Sequence, residues 1–519
     1  MSDNAYYRRQ VQRPTNERGA KNASFTGSEK FSSDKLYYTL QKSGSPFLDQ
    51  KLWEYVTSDY YPFHMPGHKR TRFEFPNPYM IDITEIDGFD NLHHAKGILA
   101  EAQKRASVLY GAQESFYLVN GSTSGILSAI SAALPRRGTL LMSRNSHKAA
   151  YHAAYLRELE TVYLLPAVTD FGISGSIQPV HVAQALDDLP QINGVFITSP
   201  TYDGIVSDIP AIAEVAHAFD VPLIVDEAHG SHFAFSKKFP ASALECGADI
   251  VIQSLHKTLP CMTQAALLHV NSSRVDVEAL KRFLGIYQTS SPSYVLMASI
   301  EKCLQFMKVE GEARMAGFTE QLAQFYKKTK RLRHLQVFDA SSYPVEICYG
   351  HDFSKILVSV GDTGLTGKQL YDTLLNTYHL QMEMTSGHYV TALTSLMDTP
   401  EGFKRLRMAL EDIDKKCYGM DKGKGTGEDG GTYLYQEPKP GLPIAHALEL
   451  PSEVMPLKAS IGHISQEYIY LYPPGIPLVA PGEIMTGGLL QVLDECKRQG
   501  LPIEGLSDAS NSSIRVVKG

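Results

Sequence analysis

Cysteine is scarce in this 519-residue sequence. There are six, at positions 246, 261, 303, 348, 417 and 496, and none forms a close pair. The spacing offers neither a metal knuckle nor a disulfide framework. Dispersed thiols of this kind fit a reducing compartment. No apolar run reaches membrane-spanning length. The opening Met-Ser-Asp-Asn-Ala-Tyr-Tyr-Arg-Arg-Gln lacks the apolar core of a secretion signal. A cytoplasmic protein with no membrane partner is expected. Excess positive charge is missing too. The formal net charge is -7, from 49 Lys and Arg against 56 Asp and Glu. That balance argues against a general nucleic-acid binder. The single tryptophan, Trp53, reads as a packing residue, and there is no internal repeat. What is present is ordinary for a globular chain: 43% hydrophobic and 20% charged residues. The length predicts two or three domains.

Residues 1–34 are polar throughout and predict a loose arm, either crossing to a partner subunit or disordered. Residues 35–58 can form a helix with Leu36, Leu40, Leu48, Leu52 and Val56 as core contacts, interrupted from Gly44 to Pro46. From about residue 98 short apolar runs alternate with helical segments. Strands are expected at Phe116 to Val119, Thr139 to Met142, Val162 to Leu165, Gly194 to Thr198, Leu223 to Asp226, Ile250 to Gln253 and Ala265 to Val270. The pattern predicts an α/β fold with a mostly parallel sheet covered on both faces. A ligand belongs at the carboxyl ends of such strands. A long helical region starts at Leu296 and continues to Tyr326, joining this large domain (35–310) to a smaller α+β domain (311–420). There a strand is expected at Ile356 to Val360 and a helix at Thr366 to Leu374. Residues 421–439 include the run Asp-Lys-Gly-Lys-Gly-Thr-Gly-Glu-Asp-Gly-Gly, a linker or surface loop. A carboxyl-terminal domain spans 440–519.

Three clusters carry chemistry. Asn120-Gly121-Ser122-Thr123-Ser124-Gly125 lies between a strand and a helix. Amides at that helix start, with the Thr123 and Ser124 hydroxyls, suit a phosphate; the same residues also cap helices. Asp226 ends Pro-Leu-Ile-Val-Asp, and a buried carboxylate there needs a donor or cationic partner. Its other reading is a helix cap or an ordinary salt bridge. His229 follows in the turn, free to contact a ligand or the backbone. His147 opens a helix after another strand, able to stack on a ring or to serve structure. Finally Ser254 and His256 precede Lys257 in Ser-Leu-His-Lys-Thr-Leu-Pro. Burial between Leu255 and Leu259 lowers a lysine's pKa and frees its amine. A phosphate cup, an Asp and a Lys in this order suit a pyridoxal phosphate enzyme. The lysine forms an imine with the aldehyde, and the aspartate keeps the pyridine nitrogen protonated.

At these residues the chain resembles the Orn/Lys/Arg decarboxylase family, which includes the bacterial arginine and lysine decarboxylases. The likeness runs from about residue 35 to the end. It is carried by Pro62-Phe63-His64-Met65-Pro66-Gly67-His68-Lys69, Arg144-Asn145-Ser146-His147-Lys148, Asp226-Glu227-Ala228-His229-Gly230 and the Lys257 run. Tyr472-Pro473-Pro474-Gly475-Ile476-Pro477 and Pro481-Gly482-Glu483 complete it. The resemblance implies the aspartate aminotransferase-like fold type I, with pyridoxal 5'-phosphate as cofactor. It implies that Lys257 carries the internal aldimine, Asp226 pairs with the pyridine nitrogen and His147 stacks on the ring. Thr123, Ser124, Ser254 and His256 bind the phosphate, and His229 lies near the imine. Glu483 lies in a segment that helps receive the substrate's distal basic group; Glu467 and acidic residues of a second subunit are the other candidates. His256 or Lys257 delivers the proton. The implied substrate is a basic amino acid, foremost L-arginine, giving agmatine and carbon dioxide for polyamine biosynthesis; lysine and ornithine are the alternatives. The larger bacterial members carry an amino-terminal wing domain for which this sequence has no room. A short form, as a homodimer or homotetramer, is therefore expected. Other readings are an aminotransferase, with Arg405 or Arg407 for the α-carboxylate, a lyase or oxidase, and a homologue that has lost catalysis.

Overall fold

The computed structural model describes residues 47–71, 73–417, 437–471 and 475–519. The arm at 1–34, Leu36, Leu40, the Gly-rich run at 421–431 and Tyr472-Pro473-Pro474 fall outside the described residues. The chain divides into two units, Met1–Ser58 and Asp59–Gly519. The described part of the first contains a helix, Leu48–Thr57, in which no residue is buried. Leu48, Leu52, Trp53 and Val56 are all exposed. This corrects the expectation of core contacts. Four-residue spacing gathers apolar side chains on one face, but only a facing surface buries them.

The second unit is built on a seven-stranded sheet. Its strands are β1 (Glu114–Leu118), β2 (Thr139–Ser143), β3 (Glu160–Leu164), β4 (Ile192–Thr198), β5 (Leu223–Asp226), β6 (Ile250–Gln253) and β7 (Ala266–Val270), in the order β1-β7-β6-β5-β4-β2-β3. All neighbours run parallel except β7, which is antiparallel to both β1 and β6. The chain returns from β6 to β7 with only a one-turn helix, Leu255–Thr258, between them. So short a return favours an antiparallel neighbour, because parallel pairing needs a longer crossover. Side chains alternate across the sheet as strand geometry requires. Val195, Ile197, Leu223, Val225 and Val251 face one core. Phe196, Ile224, Ile250 and Ile252 face the other. Both faces are therefore apolar, which explains the continuous hydrophobic runs in the sequence.

Helices cover both cores. On one side lie α1 (Ile98–Tyr110) and α5 (Tyr294–Thr329); on the other lie α2 (Gly121–Ala133), α3 (Lys148–Arg157) and α4 (Val277–Tyr287). Gly125 sets the height of α2 above the sheet. A Cβ there would stand 2.6 Å from Leu118 Cδ1 and 3.1 Å from Ile252 Cγ2. Only glycine permits that approach, which brings the start of α2 beside the end of β6.

A smaller antiparallel sheet, with order β8-β9-β11-β10, comprises β8 (Gln336–Val337), β9 (Lys355–Ser359), β10 (Met384–Thr385) and β11 (Tyr389–Leu393). Helices α6 (Gly367–Tyr378) and α7 (Pro400–Lys416) accompany it. Tyr61–Phe63 pairs in parallel with Leu380–Met382 as a separate two-stranded sheet. Toward the carboxyl end, Ser452–Pro456 pairs with Ser513–Val517, and a three-stranded sheet joins Ile476–Val479, Ile469–Leu471 and Ile503–Glu504. These strands and α8 (Gly487–Arg498) share a core that includes Leu457, Ile469, Met485, Leu493 and Val516.

The buried Asp414 on α7 accepts hydrogen bonds from the backbone N–H groups of Arg333, His334 and Leu335 at 3.1, 2.8 and 2.9 Å. Asp414→Ala leaves those donors unmet. It is expected to destabilise the fold by about 2–3 kcal/mol, read as a lower midpoint in urea unfolding.

Candidate active site

Strands β5 and β6 end side by side, and their carboxyl-end loops supply the charged groups. Asp226 closes β5, fully inside the protein, with Oδ1 accepting from the Ala228 N–H at 3.0 Å. Burial pushes its carboxyl upward, and the nearby Lys257 opposes that shift. Lys257 stands on the one-turn helix after β6. Burial lowers its amine's pKa, while Asp226 and Glu383 pull the other way. A lysine whose ammonium is disfavoured by burial is suited to forming an imine.

His229 links the amine of half-buried Lys257 to that of fully buried Lys355. Its Nε2 lies 2.9 Å from Lys257 Nζ and its Nδ1 lies 2.7 Å from Lys355 Nζ. A neutral imidazole has one N–H and one lone pair. Lys257 and Lys355 therefore cannot both donate to it as ammonium ions. Lys355 begins β9, is wholly buried and also donates to the Tyr202 carbonyl at 3.0 Å. Burial lowers its pKa to about 8, opposed first by Asp352. Below that pH its ammonium donates to Nδ1. The proton of His229 then sits on Nε2, facing the Lys257 amine, whose neutral form burial favours. Burial depresses His229 strongly, which keeps the ring uncharged.

The start of α2 meets the Lys257 turn through two hydroxyls, Ser122 Oγ and Ser254 Oγ, 2.5 Å apart. Of the hydroxyls singled out from sequence, Thr123 is exposed, and Ser124 donates back to the Gly121 carbonyl at 2.9 Å. Ser122 was missed; it shares its run with Thr123 and Ser124, and only the helix phase separates them. His256 is part-buried, with Nδ1 3.1 Å from the Ala265 carbonyl. Burial lowers its pKa to about 4. His147 caps α3, its Nδ1 accepting from the Ala149 N–H at 3.2 Å. Burial and then the charge of Lys257 lower it to about 3. Both rings are neutral near pH 7.

The Pro-Gly-His-Lys segment braces this turn from outside the sheet. The Gly67 N–H donates to the His256 carbonyl at 2.7 Å. A Cβ on Gly67 would lie 2.7 Å from the Leu259 carbonyl oxygen. Lys69 Nζ donates to the carbonyls of His64 and Leu393 at 2.8 and 2.7 Å. Glu383 accepts from the Met65 N–H at 2.9 Å and from the Tyr202 hydroxyl at 2.5 Å. Glu383, Lys355, Tyr202 and Asp203 all escaped the sequence reading. Lys355 had a signal, as a lysine opening an apolar run, Lys-Ile-Leu-Val; Glu383 sits between two methionines in the same way.

Glu483 is committed elsewhere. Its Oε1 is 2.9 Å from Arg144 Nη1, and its Oε2 accepts from Arg144 Nη2 and from the Ala480 N–H, both at 3.0 Å. Both side chains are buried. This carboxylate clamps the carboxyl-terminal segment to the loop after β2. Glu467 likewise accepts from the Ser507 and Arg515 backbone N–H groups, each at 2.8 Å. Arg405 binds the carbonyls of Asp59 and Tyr378, and Arg407 pairs with Glu411 at 2.7 Å.

Two outcomes follow from this geometry. Glu483→Gln breaks a buried ion pair and is expected to cost about 3–5 kcal/mol of stability, while Arg144→Met/Glu483→Leu loses much less. Thermal melts of the three proteins check this. In the cofactor-free protein, nitrogen-15 NMR of His229 is expected to show the Nε2–H tautomer below about pH 8. That preference weakens above it, where Lys355 no longer donates as an ammonium. Asp352, Asp203, Glu383 and Lys257 are the charged groups around Lys355. Lys355→Met is expected to abolish the preference at every pH.

Comparison with known proteins agrees with this architecture. The major-domain pattern of the Orn/Lys/Arg decarboxylases matches residues 45–348, and their C-terminal-domain pattern matches 437–499. An arginine decarboxylase of Bacillus anthracis is 30% identical over 495 residues, covering 93% of this chain and 99% of its own. The constitutive lysine decarboxylase of Escherichia coli is 25% identical over 556 residues, covering 87% and 77%. The solved structure of that E. coli enzyme superimposes with a TM-score of 0.73 at 20% identity, over 91% of this chain and 82% of the other. The fold is that of the pyridoxal phosphate-dependent fold type I enzymes. The major-domain pattern spans the entire sheet that positions Lys257, and the C-terminal pattern spans the segment carrying Glu483: the chain belongs to the Orn/Lys/Arg decarboxylase family.

Proposed function

We propose that the protein decarboxylates L-arginine to agmatine and carbon dioxide, with pyridoxal 5'-phosphate as cofactor. The observation that carries the chemistry is the half-buried Lys257 amine, 2.9 Å from His229 and under the charge of Asp226. The substrate choice is supported by the Bacillus anthracis relative, an arginine decarboxylase at 30% identity, against 25% for the E. coli lysine decarboxylase.

The donor set fits the cofactor. A cationic ring nitrogen would relieve the burial that pushes Asp226 upward. Thr123, Ser124, Ser254 and His256, joined by Ser122, would hold the phosphate. A phosphate dianion beside His256 would raise its pKa from about 4. His147 would cover the ring face. When bound, pyridoxal phosphate supplies an aldehyde for the substrate amine and a pyridinium ring that takes up the electron pair left by carbon dioxide.

The protein's own work is orientation and proton placement. Asp226 would hold the proton on the ring nitrogen. Lys257 would hold the cofactor until the substrate amine takes its place; its amine, charged by the proton the substrate amine sheds, would then supply a proton to the α-carbon. His229 keeps its proton on Nε2 through the Lys355 contact. The apolar packing of Leu255 and Leu259, both fully buried, keeps water from the lysine. Among the described residues no helix is long and apolar enough to cross a membrane. We place the reaction in the cytoplasm, in a homodimer or homotetramer. The dispersed, unpaired cysteines support the compartment.

Cofactor-loaded protein incubated separately with arginine, lysine and ornithine tests this by mass analysis of amines and carbon dioxide. Agmatine from arginine is the expected product, with a loss of more than about a thousandfold in Lys257→Ala, which has no nucleophilic amine. Cadaverine or putrescine without agmatine would overturn the substrate assignment.

A further inference from the structure

A cavity of about 240 Å³ is lined in part by Tyr202 and Glu383. The Tyr202 ring packs edge-on against His229, the neighbour of Lys257, with centroids 5.0 Å apart. Its lining comes from the loop after β4, from β10, β11 and α6 of the smaller layer, and from the carboxyl-terminal strands.

The cavity has an excess of acceptors. Asn145 and Ser174 are among the lining residues and only 2% exposed, and Asn145 Oδ1 and Ser174 Oγ are buried with no hydrogen-bond partner. Buried polar atoms left unmet in this way are uncommon and point to a missing donor. Asp203, 8% exposed, accepts a hydrogen bond from the Tyr389 hydroxyl at 3.0 Å through Oδ1. Among the described residues no salt bridge reaches it, and burial pushes its carboxyl up to about 6. A cation entering beside it would bring that value down. Glu383 adds a second carboxylate, its oxygens already accepting from Tyr202 and Met65. The cation on the lining, Lys368, is held by Asp372 at 2.5 Å. The cavity therefore lacks a positive group with several N–H donors arranged in different directions. A guanidinium carries five in a planar fork, and an ammonium three on one atom.

We propose that this cavity receives the guanidinium end of the substrate side chain, with Asp203 as its charge partner and Asn145 and Ser174 as further acceptors. The proposal rests on the arginine reading for its ligand. It gives Asp203 the specificity role expected of Glu483, which the Arg144 clamp occupies.

The test uses the cofactor-loaded full chain and propylguanidine, which carries the guanidinium but neither α-amino nor carboxylate group. Propylguanidine is expected to bind by calorimetry and to compete with arginine, and butylamine to bind more weakly. Asp203→Asn and Asn145→Leu are each expected to weaken propylguanidine and raise the KM for arginine about tenfold or more, as loss of a charge-assisted hydrogen bond does. The kcat stays within about threefold, because the reacting atoms are untouched. If Asp203→Asn melts early, Asn145→Leu and Ser174→Val carry the test from the other wall. Agmatine formation with wild-type KM in these variants overturns the cavity assignment while the arginine reading stands. Propylguanidine binding that Asp203→Asn abolishes, in an enzyme that forms no agmatine, supports the cavity and overturns the reading.

Discussion

The withdrawal of Lys257 from water is the constraint on which the site depends. An ammonium in bulk solvent is no nucleophile at neutral pH. Buried, the same group favours its neutral form, and every neighbour must then be compatible with a free amine. His229 meets the condition by offering an N–H rather than competing for one. Asp226, at the end of the adjacent strand, pulls the other way and favours the charged amine, but burial is the larger effect. The parallel run of β5 and β6 supplies this arrangement. Two neighbouring strands deliver a carboxylate and an amine to the same edge, where their loops are free to carry chemistry.

The smaller layer is part of the site rather than an appendage. Lys355 opens β9 and fixes the tautomer of a ring that belongs to the large sheet. Glu383 holds Tyr202 and the backbone of Met65. A polar network that bridges two layers fixes their relation more narrowly than apolar contact does, because each donor accepts only certain directions. Any shift of the smaller layer is felt at His229 through a single hydrogen bond.

The large sheet was legible because its strands are apolar on both faces. The runs ending at Asp226 and Gln253 match the observed strands at both ends. Asp226 and Lys257 were legible for the same reason, as charged residues just past apolar runs. The antiparallel sense of β7 was not, because strand residues do not encode direction; the short return through Leu255–Thr258 decides it. The commitment of Glu483 to Arg144 was also hidden. Its partner lies 339 residues away, and no local pattern links them. The apolar stripe of Leu48, Leu52 and Val56 shows the opposite failure, a clear local pattern whose burial depends on what faces it.

The brace formed by Gly67 has a consequence for how the molecule comes into being. Met65 N–H and its acceptor Glu383 are 318 residues apart in the chain, and Lys69 reaches Leu393 across a similar interval. On a ribosome, the turn bearing Lys257 emerges well before the strands that hold this brace in place. The large sheet can gather its own core from nearby segments, but the brace on the lysine turn has to wait for Glu383 and Leu393. Nascent chains therefore pass through a stage with a formed sheet and an unbraced lysine turn, and the finished site is acquired only late in synthesis.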